Sequence, residues 1–347
     1  MKRKTIYDVA REAGVSISTV SRALNGTANV KESTMRRIEA ACVGYVPNAN
    51  ARELQGQKTK TIGIIMEHSP EYFFMNHIYT NALLGISVVA QKKGYYLLLN
   101  VSTDEEDVCN LYHRNKVSGF ILMGTKKNGG LVSQLRENNI PFVIIGSYPD
   151  EDVAQVDIDD CRAMQNATEY LISLGHARIG IVTGSREYSS CHNRILGYEK
   201  AMENHNLKVH KEWIHTCADI TPSNAEQLAR NLLHQRPRVS AVLAFNDSVA
   251  MAVYKVAKDM NIRVPDELSV IGFDDTPLAS YMTPMLTSIW QPSYEKGEKA
   301  MKILVNSLEK DVVPTGRVEL DTIVMYRESC KSPKSNVKLR NVELLTK

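Results

Sequence analysis

From Thr59 onward, short runs of apolar residues alternate with longer stretches in which apolar positions recur every three or four residues. The short runs predict buried strands, and the longer stretches predict amphipathic helices, such as one from Ala82 to Lys93 that ends at Gly94. Runs that are apolar on both faces are typical of parallel sheets covered by helices on both sides. There are too many strands for one compact sheet, so we expect two lobes. The predicted strands are 62–66, 95–100, 119–123, 142–145, 179–182, 242–245 and 270–273.

The first 60 residues follow a different pattern, that of short helices. Thr5 and Ser16 can each cap a helix, and Gly14 between them suits a turn with a positive φ. Two short helices joined by a glycine-containing turn, with small residues where they cross, predict a helix-turn-helix. The inner faces would consist of Val9, Ala10 and Ala13 in the first helix and of Val20, Ala23 and Leu24 in the second.

The outward face of the second helix carries Ile17, Ser18, Ser21 and Arg22. An arginine can read guanine with two hydrogen bonds, a serine can bond a base edge or a phosphate, and an isoleucine can pack on a thymine methyl. The alternative is an ordinary helical hairpin whose arginine is only solvated. Charge favours the first interpretation: residues 1–60 hold 11 Lys and Arg against 5 Asp and Glu, whereas the rest of the chain holds 31 against 34.

Two further segments extend this unit. Residues 34–42 predict a third helix with Met35 and Ile38 on its apolar face. Residues 47–56 predict a helix of about two turns, which is too short to persist alone in water. It therefore needs a partner, either its twin in a dimer or DNA.

Segments 5–10, 13–16, 19–22 and 45–54, in this order and spacing, make the chain similar to the lactose/galactose-repressor family. In that family the short helix is a hinge that folds in the minor groove, where its leucine, here Leu54, wedges into a central base step. Between Val30 and Tyr45 the chain is two residues shorter than most relatives, so the third helix must end early or join the hinge differently. Lys31 also stands where relatives usually have a capping serine, and a lysine side chain cannot accept hydrogen bonds from the helix amides. The residues that the resemblance places on DNA are Thr5, Ser16, Ile17, Ser18, Thr19, Ser21, Arg22, Asn25, Tyr45, Asn48, Ala51 and Leu54.

The remainder of the chain, to about Cys330, resembles the two-lobed periplasmic sugar-binding fold that the same family uses. The resemblance implies three crossings between lobes, near residues 157–160, 288–291 and 322–324. Parallel sheets bind ligands at the carboxyl ends of their strands. The full prediction is an all-α helix-turn-helix headpiece (1–46), a hinge helix and linker (47–58), a two-lobed α/β body (59–330) and a tail (331–347). The first lobe is 59–158 with 290–323, and the second is 159–289 with 324–330.

The resemblance also implies a binding site for a small-molecule effector, and a sugar is the effector that we expect. Arg194, Asn246 and Asp274 match family positions that hold sugar hydroxyls, although Asn246 could instead cap the helix that follows it. Phe74 or Tyr79 could stack on a pyranose ring, and we add Ser147 to this site. Segments 76–79, 141–146 and 168–176 are similar to maltose-operon repressors in particular, so maltose or another α-glucoside is the first candidate effector.

Composition excludes other classes. The six cysteines are scattered without a Cys-x-x-Cys pair, so they indicate neither a zinc site nor a disulfide framework. We predict no metal and no cofactor. We find no nucleophile, metal or phosphate-loop motif of an enzyme, no apolar run of membrane length and no export signal, which places the chain in the cytoplasm. A transport-type sugar-binding protein would lack residues 1–58. The prediction is a transcriptional repressor that binds a pseudo-palindromic operator in double-stranded DNA as a homodimer. Regulation by a purine-type co-repressor or by a phosphocarrier protein stays an alternative.

Overall fold

The computed structural model describes residues 4–24, 30–45, 59–100, 105–218 and 220–333. It divides into two compact units, Met1–Thr59 and Lys60–Lys347, which we call the headpiece and the body. The described part of the headpiece contains three helices: α1 (Ile6–Ala13), α2 (Ile17–Leu24) and α3 (Glu32–Ala41). The predicted third helix is therefore present, and it starts two residues earlier than expected.

The three headpiece helices enclose a small apolar core in which Val9, Val20 and Ile38 are completely buried. Thr5 and Asp8 form a reciprocal capping box at the start of α1, and Gly14 ends that helix with a φ of 64°. The Lys31 side chain gives α3 no capping hydrogen bond, as expected. One prediction was wrong: Leu24 is 43% exposed, because the last residue of α2 lies beyond the packed face.

The described part of the body contains two six-stranded sheets. Their orders are β11-β5-β4-β3-β1-β2 in the first lobe and β12-β10-β9-β8-β6-β7 in the second. Neighbouring strands are parallel, as predicted, except for the antiparallel pair β10 and β12. The strands are β1 (Thr61–Met66), β2 (Tyr96–Asn100), β3 (Gly119–Met123), β4 (Phe142–Ile145), β5 (Gln155–Ile158), β6 (Ile179–Gly184), β7 (Ile214–Cys217), β8 (Ala241–Ala244), β9 (Ser269–Asp274), β10 (Thr287–Trp290), β11 (Arg317–Leu320) and β12 (Ile323–Met325).

Helices cover both faces of each sheet, which explains why β3, β4 and β8 are apolar along their whole length. The body helices are α4 (Pro70–Met75), α5 (His77–Lys93), α6 (Glu105–His113), α7 (Gly130–Glu137), α8 (Asp160–Ser173), α9 (Ser189–Asn204), α10 (Pro222–Leu233), α11 (Asp247–Asp259), α12 (Pro277–Tyr281) and α13 (Ser293–Lys310), with a 3-10 turn at Lys211–Trp213. Among the described residues, no helix has the length and apolarity needed to cross a membrane.

Within each lobe, two helices pack closely against each other at a glycine. In the first lobe a Cβ on Gly297 of α13 would overlap the backbone carbonyl of Ala82 in α5. In the second lobe a Cβ on Gly197 of α9 would overlap the carbonyl of Cys161 in α8. These glycines let the helix axes approach closely. The chain passes between the two sheets after β5, after β10 and after β11, so α8 and α13 both begin at a crossing.

Candidate functional site

The α2 helix presents the residues that the sequence predicts to read DNA. Ile17 is 38% exposed, and Ser18 and Arg22 are exposed, while Ser21 is half-buried. The Ser16 hydroxyl caps the helix by accepting from the Thr19 amide at 3.1 Å. An apolar inner face with Val20 and Ala23 fixes this orientation, because it is buried against α1 and α3.

Other predicted DNA contacts have different surroundings. The Thr5 side chain is exposed, but its hydroxyl is engaged with the Asp8 carboxylate at 2.7 Å. Thr19 is half-buried, and its hydroxyl lies 2.8 Å from that of Ser16. Tyr45 is half-buried against the headpiece core. The remaining predicted contacts, and the whole predicted hinge helix, lie outside the described residues: Asn25, Asn48, Ala51 and Leu54.

A cavity of about 110 Å³ lies in the body where strands of both sheets end. Its wall from the first lobe includes Tyr79 and Ser147, and its wall from the second lobe includes Arg194 and Asp274. Four of the six predicted effector residues thus meet in one cavity. This is the arrangement expected of parallel sheets that bind a ligand at their carboxyl ends.

Asn246 and Phe74 are placed differently. Asn246 lines a neighbouring cavity of about 290 Å³, which it shares with Asp274, and its side chain caps α11 by accepting from the Val249 amide at 2.9 Å. Phe74 is 53% exposed and lines neither cavity. The short helix α4 turns the adjacent Phe73 inward instead, where its ring stacks on Tyr79 with centroids 5.2 Å apart.

The Arg194 guanidinium is held rigidly on the floor of the first cavity. Its Nε donates to Asp160 Oδ1 at 2.7 Å, and Nη1 donates to the Phe245 carbonyl at 2.5 Å. The guanidinium carbon also lies 3.4 Å from the centroid of the Phe273 ring. Burial raises the pKa of Asp160 to about 6, although Arg194 acts in the opposite direction.

A chain of buried hydrogen bonds joins the two lobes beside this arginine. Lys296 donates to Asp157 Oδ1 at 2.5 Å and to Gln291 Oε1 at 2.6 Å. The Ser147 hydroxyl donates to Asp157 Oδ2 at 2.9 Å, and Gln291 Nε2 donates to Asp274 Oδ1 at 2.5 Å. The network therefore connects the ends of β4 and β5 in the first lobe with the end of β9 in the second.

The pKa values of the two carboxyls in this network shift in opposite directions. Burial alone would raise the pKa of Asp157, but the Lys296 ammonium, the Ile158 amide and the Ser147 hydroxyl together outweigh burial and lower that pKa. Burial raises the pKa of Asp274, whose only side-chain hydrogen bond in the described structure comes from Gln291. Like Asp160, Asp274 is therefore a carboxyl whose ionised form hydroxyl donors of a bound molecule would stabilise.

Sequence reasoning missed Asp160, Gln291 and Lys296 as cavity residues. The only signal was that the first two lie at or next to predicted crossings, where both lobes come together. Lys296 lies in an amphipathic helix, α13, where a lysine normally indicates a solvated face.

Part of the cavity wall consists of aromatic rings. The His68 ring, just after β1, stacks on Tyr188 of the second lobe, with centroids 4.4 Å apart and planes at 28°. Tyr72 lies 4.7 Å from the same ring. Next to this stack the Lys127 amide donates to the Glu187 carbonyl at 2.9 Å, so a backbone hydrogen bond also spans the lobes. The cavity thus offers ring faces on one side and charged hydrogen-bonding groups on the other.

Both units have recognisable relatives. Residues 5–48 match the family described as bacterial regulatory proteins, lacI family, and residues 168–330 match the periplasmic binding protein-like domain. The HTH-type transcriptional repressor PurR of Photobacterium profundum is 34% identical over 336 residues, which cover 94% of this chain and 98% of that protein. The chain belongs to the lacI family of bacterial regulatory proteins.

Solved structures agree with this membership. This lacI-family regulator is similar to the transcriptional regulator CelR in its cellobiose complex, with a TM-score of 0.73 and 29% identity over 94% of this chain and all of the other. A lac repressor dimer bound to operator shares the fold, with a TM-score of 0.81 at 24% identity, covering 95% of this chain and 100% of that one. The predicted combination of a helix-turn-helix headpiece and a two-lobed periplasmic-binding-protein-like body is confirmed. Its named relatives are transcriptional regulators, and so is this protein.

Proposed function

We propose that this regulator represses transcription by binding a pseudo-palindromic operator as a homodimer, and that a sugar bound in the body changes its affinity for that operator. The observation that carries the proposal is the cavity between the lobes. Its wall combines Arg194 and Asp274 with an aromatic face, and both lobes contribute to it. A molecule bound there contacts both lobes at once, so its binding is linked to the angle between them.

The DNA contacts follow from the headpiece. The side chains of Ile17, Ser18 and Arg22 on α2 are exposed and would enter the major groove, with Ser21 at the edge of this surface. Ser16, Thr19, Thr5 and Tyr45 would contact the phosphates or position α2. We further propose that residues 47–58 act as the hinge that meets the minor groove through Leu54. Because operator DNA is its target, we place the protein in the cytoplasm.

Exposed apolar side chains on the body support the homodimer. Tyr96 on the edge strand β2 is 76% exposed, and Leu84 on the adjacent helix α5 is 53% exposed. In the second lobe Tyr281 of α12 is 83% exposed and Met251 of α11 is 48% exposed. Large apolar groups on the surface of both lobes are typical of a protein interface. A second copy of the chain would cover them and bring two α2 helices onto two half-sites.

The chemistry of the cavity fits a sugar. Ring faces such as that of Tyr79 can stack on the apolar face of a pyranose, and Asp274 beside Arg194 can accept and donate hydrogen bonds to its hydroxyls. An α-glucoside such as maltose is the first candidate. Cellobiose is its direct competitor, since the similar CelR structure is a cellobiose complex.

Fluorescence anisotropy on a labelled duplex from the upstream region of the protein's own gene tests the proposal. We expect tight binding to one pseudo-palindromic site, no comparable binding to a scrambled duplex at the same salt, and a change in affinity when millimolar maltose or cellobiose is added. Replacing Arg22 by Ala should reduce discrimination between the two duplexes. Equal binding to both duplexes would contradict operator recognition, whereas specific binding that no sugar alters would contradict only the effector assignment.

A further inference from the structure

The N-terminus of α9 opens into the cavity without a side-chain cap. Tyr188 precedes the helix and makes no capping hydrogen bond, and the first turn contains no acidic residue. Tyr188, Ser189, Ser190 and Cys191 all line the cavity. The first amides of an α-helix have no acceptor within the helix, and the helix dipole makes this end positive. In this helix of 16 residues they are available to an acceptor on a bound molecule.

A second observation at the same place points to a ligand. The Ser189 side chain is only 6% exposed, and its hydroxyl has no hydrogen-bond partner within the described structure. Folded proteins leave few buried hydroxyls unpaired, because an unsatisfied polar group costs free energy. Ser189 therefore has a donor and an acceptor site ready for a group that enters the cavity.

The charges around the cavity limit what that group can be. Three carboxylates line it, those of Asp157, Asp160 and Asp274, against two permanent cations, Arg194 and Lys296. Both cations are already engaged, Arg194 with Asp160 and Lys296 with Asp157. A phosphate group would add negative charge to a wall with no unengaged cation, which is unfavourable in a buried site. A hydroxyl adds no charge and can both accept and donate.

We propose that Ser189 and the N-terminal amides of α9 form a subsite for a hydroxyl oxygen of an uncharged sugar, and that the three carboxylates of the cavity make the regulator select free sugars over sugar phosphates. Another hydroxyl of the same molecule donates to the Asp274 oxygen that Gln291 leaves open. The inference rests on the effector cavity proposed above, and it adds the effector's chemical class and a residue that determines specificity.

Isothermal titration calorimetry on the full-length protein tests this inference. The ligands are glucose, maltose, cellobiose and glucose 6-phosphate, and the variants are Ser189→Ala and Ser173→Ala. Ser173 is the matched control, because its exposed hydroxyl on α8 bonds only to the Tyr170 carbonyl, at 2.7 Å. We expect Ser189→Ala to bind the preferred neutral sugar about 3- to 10-fold more weakly, Ser173→Ala to bind like the unmodified protein, and glucose 6-phosphate to bind none of them.

Monodeoxy analogues of the preferred sugar separate a direct contact from a structural effect. One deoxy analogue should bind the unmodified protein more weakly than the parent sugar does, by about the factor that Ser189→Ala costs. The same analogue should bind Ser189→Ala as tightly as the parent sugar binds that variant, because the missing hydroxyl and the missing serine remove the same hydrogen bond. Equal sugar affinity of Ser189→Ala and the unmodified protein would overturn the subsite. Tighter binding of glucose 6-phosphate than of glucose would overturn the selection for uncharged sugars. If the unmodified protein binds its operator but none of these sugars, the sugar effector fails, and this inference fails with it, while operator recognition stands.

Discussion

Replacement of Lys296 by Met should strongly destabilise the body. The Lys296 and Asp157 side chains are 6% and 4% exposed, and the ammonium bonds both Asp157 and Gln291. The methionine fills similar volume but leaves the Asp157 carboxylate buried with Ser147 as its remaining side-chain donor. Removing one partner of a buried ion pair costs about 3–5 kcal/mol, which is a large fraction of the stability of an ordinary protein.

Urea unfolding followed by the fluorescence of Trp213 and Trp290 measures this loss. Lys302→Met on the same helix is the control, because Lys302 is 53% exposed and its ion pair with Glu298 is worth at most about 1 kcal/mol. The double variant Lys296→Met with Asp157→Leu should recover part of the stability, since it leaves no unpaired charge. If Lys296→Met and Lys302→Met lower the free energy of unfolding equally, the buried pair does not have the energetic role assigned to it.

The pH dependence provides an independent check of the same pair. Lys296 keeps the pKa of Asp157 below its usual value, so the stabilisation by the pair is present above the unfolded pKa and is lost as the pH falls through the folded pKa. Without Lys296, burial raises the pKa of Asp157, and the folded variant becomes less stable as the pH rises. The free energy of unfolding that Lys296→Met loses relative to the unmodified protein should therefore be larger at pH 8 than at pH 5. A deficit that does not change with pH would contradict this account.

Three further predictions concern other parts of the chain. Burial, aided by the charge of Asp274, raises the pKa of Asp247 to about 7, so the folded state keeps a proton that the unfolded state releases near pH 4. The free energy of unfolding should therefore fall by about 3 kcal/mol from pH 5 to pH 8, and by less in Asp247→Asn. Urea unfolding at each pH measures this change. Thr5→Ala removes the α1 cap and should cost the headpiece about 1 kcal/mol, seen as faster hydrogen exchange of α1 peptides, whereas Thr5→Ser should exchange like the unmodified protein. Gly297→Ala places a Cβ against the Ala82 carbonyl and should lower the melting temperature by several degrees, and an unchanged melting temperature would contradict the close approach of α13 and α5.

The elements that the sequence predicted well are those whose burial is local in origin. The central strands β3, β4 and β8 are apolar along their whole length, and β1 is apolar after Thr61, because helices cover both faces; such runs can be read directly from the sequence. The capping box of Thr5 and the turn at Gly14 involve residues only a few positions apart, so short-range chemistry specifies them. Five strands were missed, for two reasons. The edge strands β7, β11 and β12 are only partly buried and become strands by pairing with distant segments. The strands β5 and β10 are buried, but polar residues such as Asp157 and Ser288 interrupt their apolar runs.

The candidate site likewise contains residues that the sequence predicted and residues that it did not. Asp274 was found because it follows a predicted strand, and both Asp274 and Arg194 match a family pattern. The choice between Phe73 and Phe74, in contrast, depended on how a six-residue helix packs. Lys296 had no local signal, since its partner Asp157 is 139 residues away in the chain. The sequence by itself determined the two units, the parallel sheets and the edge at which a ligand binds, because periodicity, capping and turn chemistry act over a few residues. Only the tertiary structure decided which charges neutralise each other and which buried hydroxyls, such as that of Ser189, are left unpaired, because both depend on contacts between distant segments.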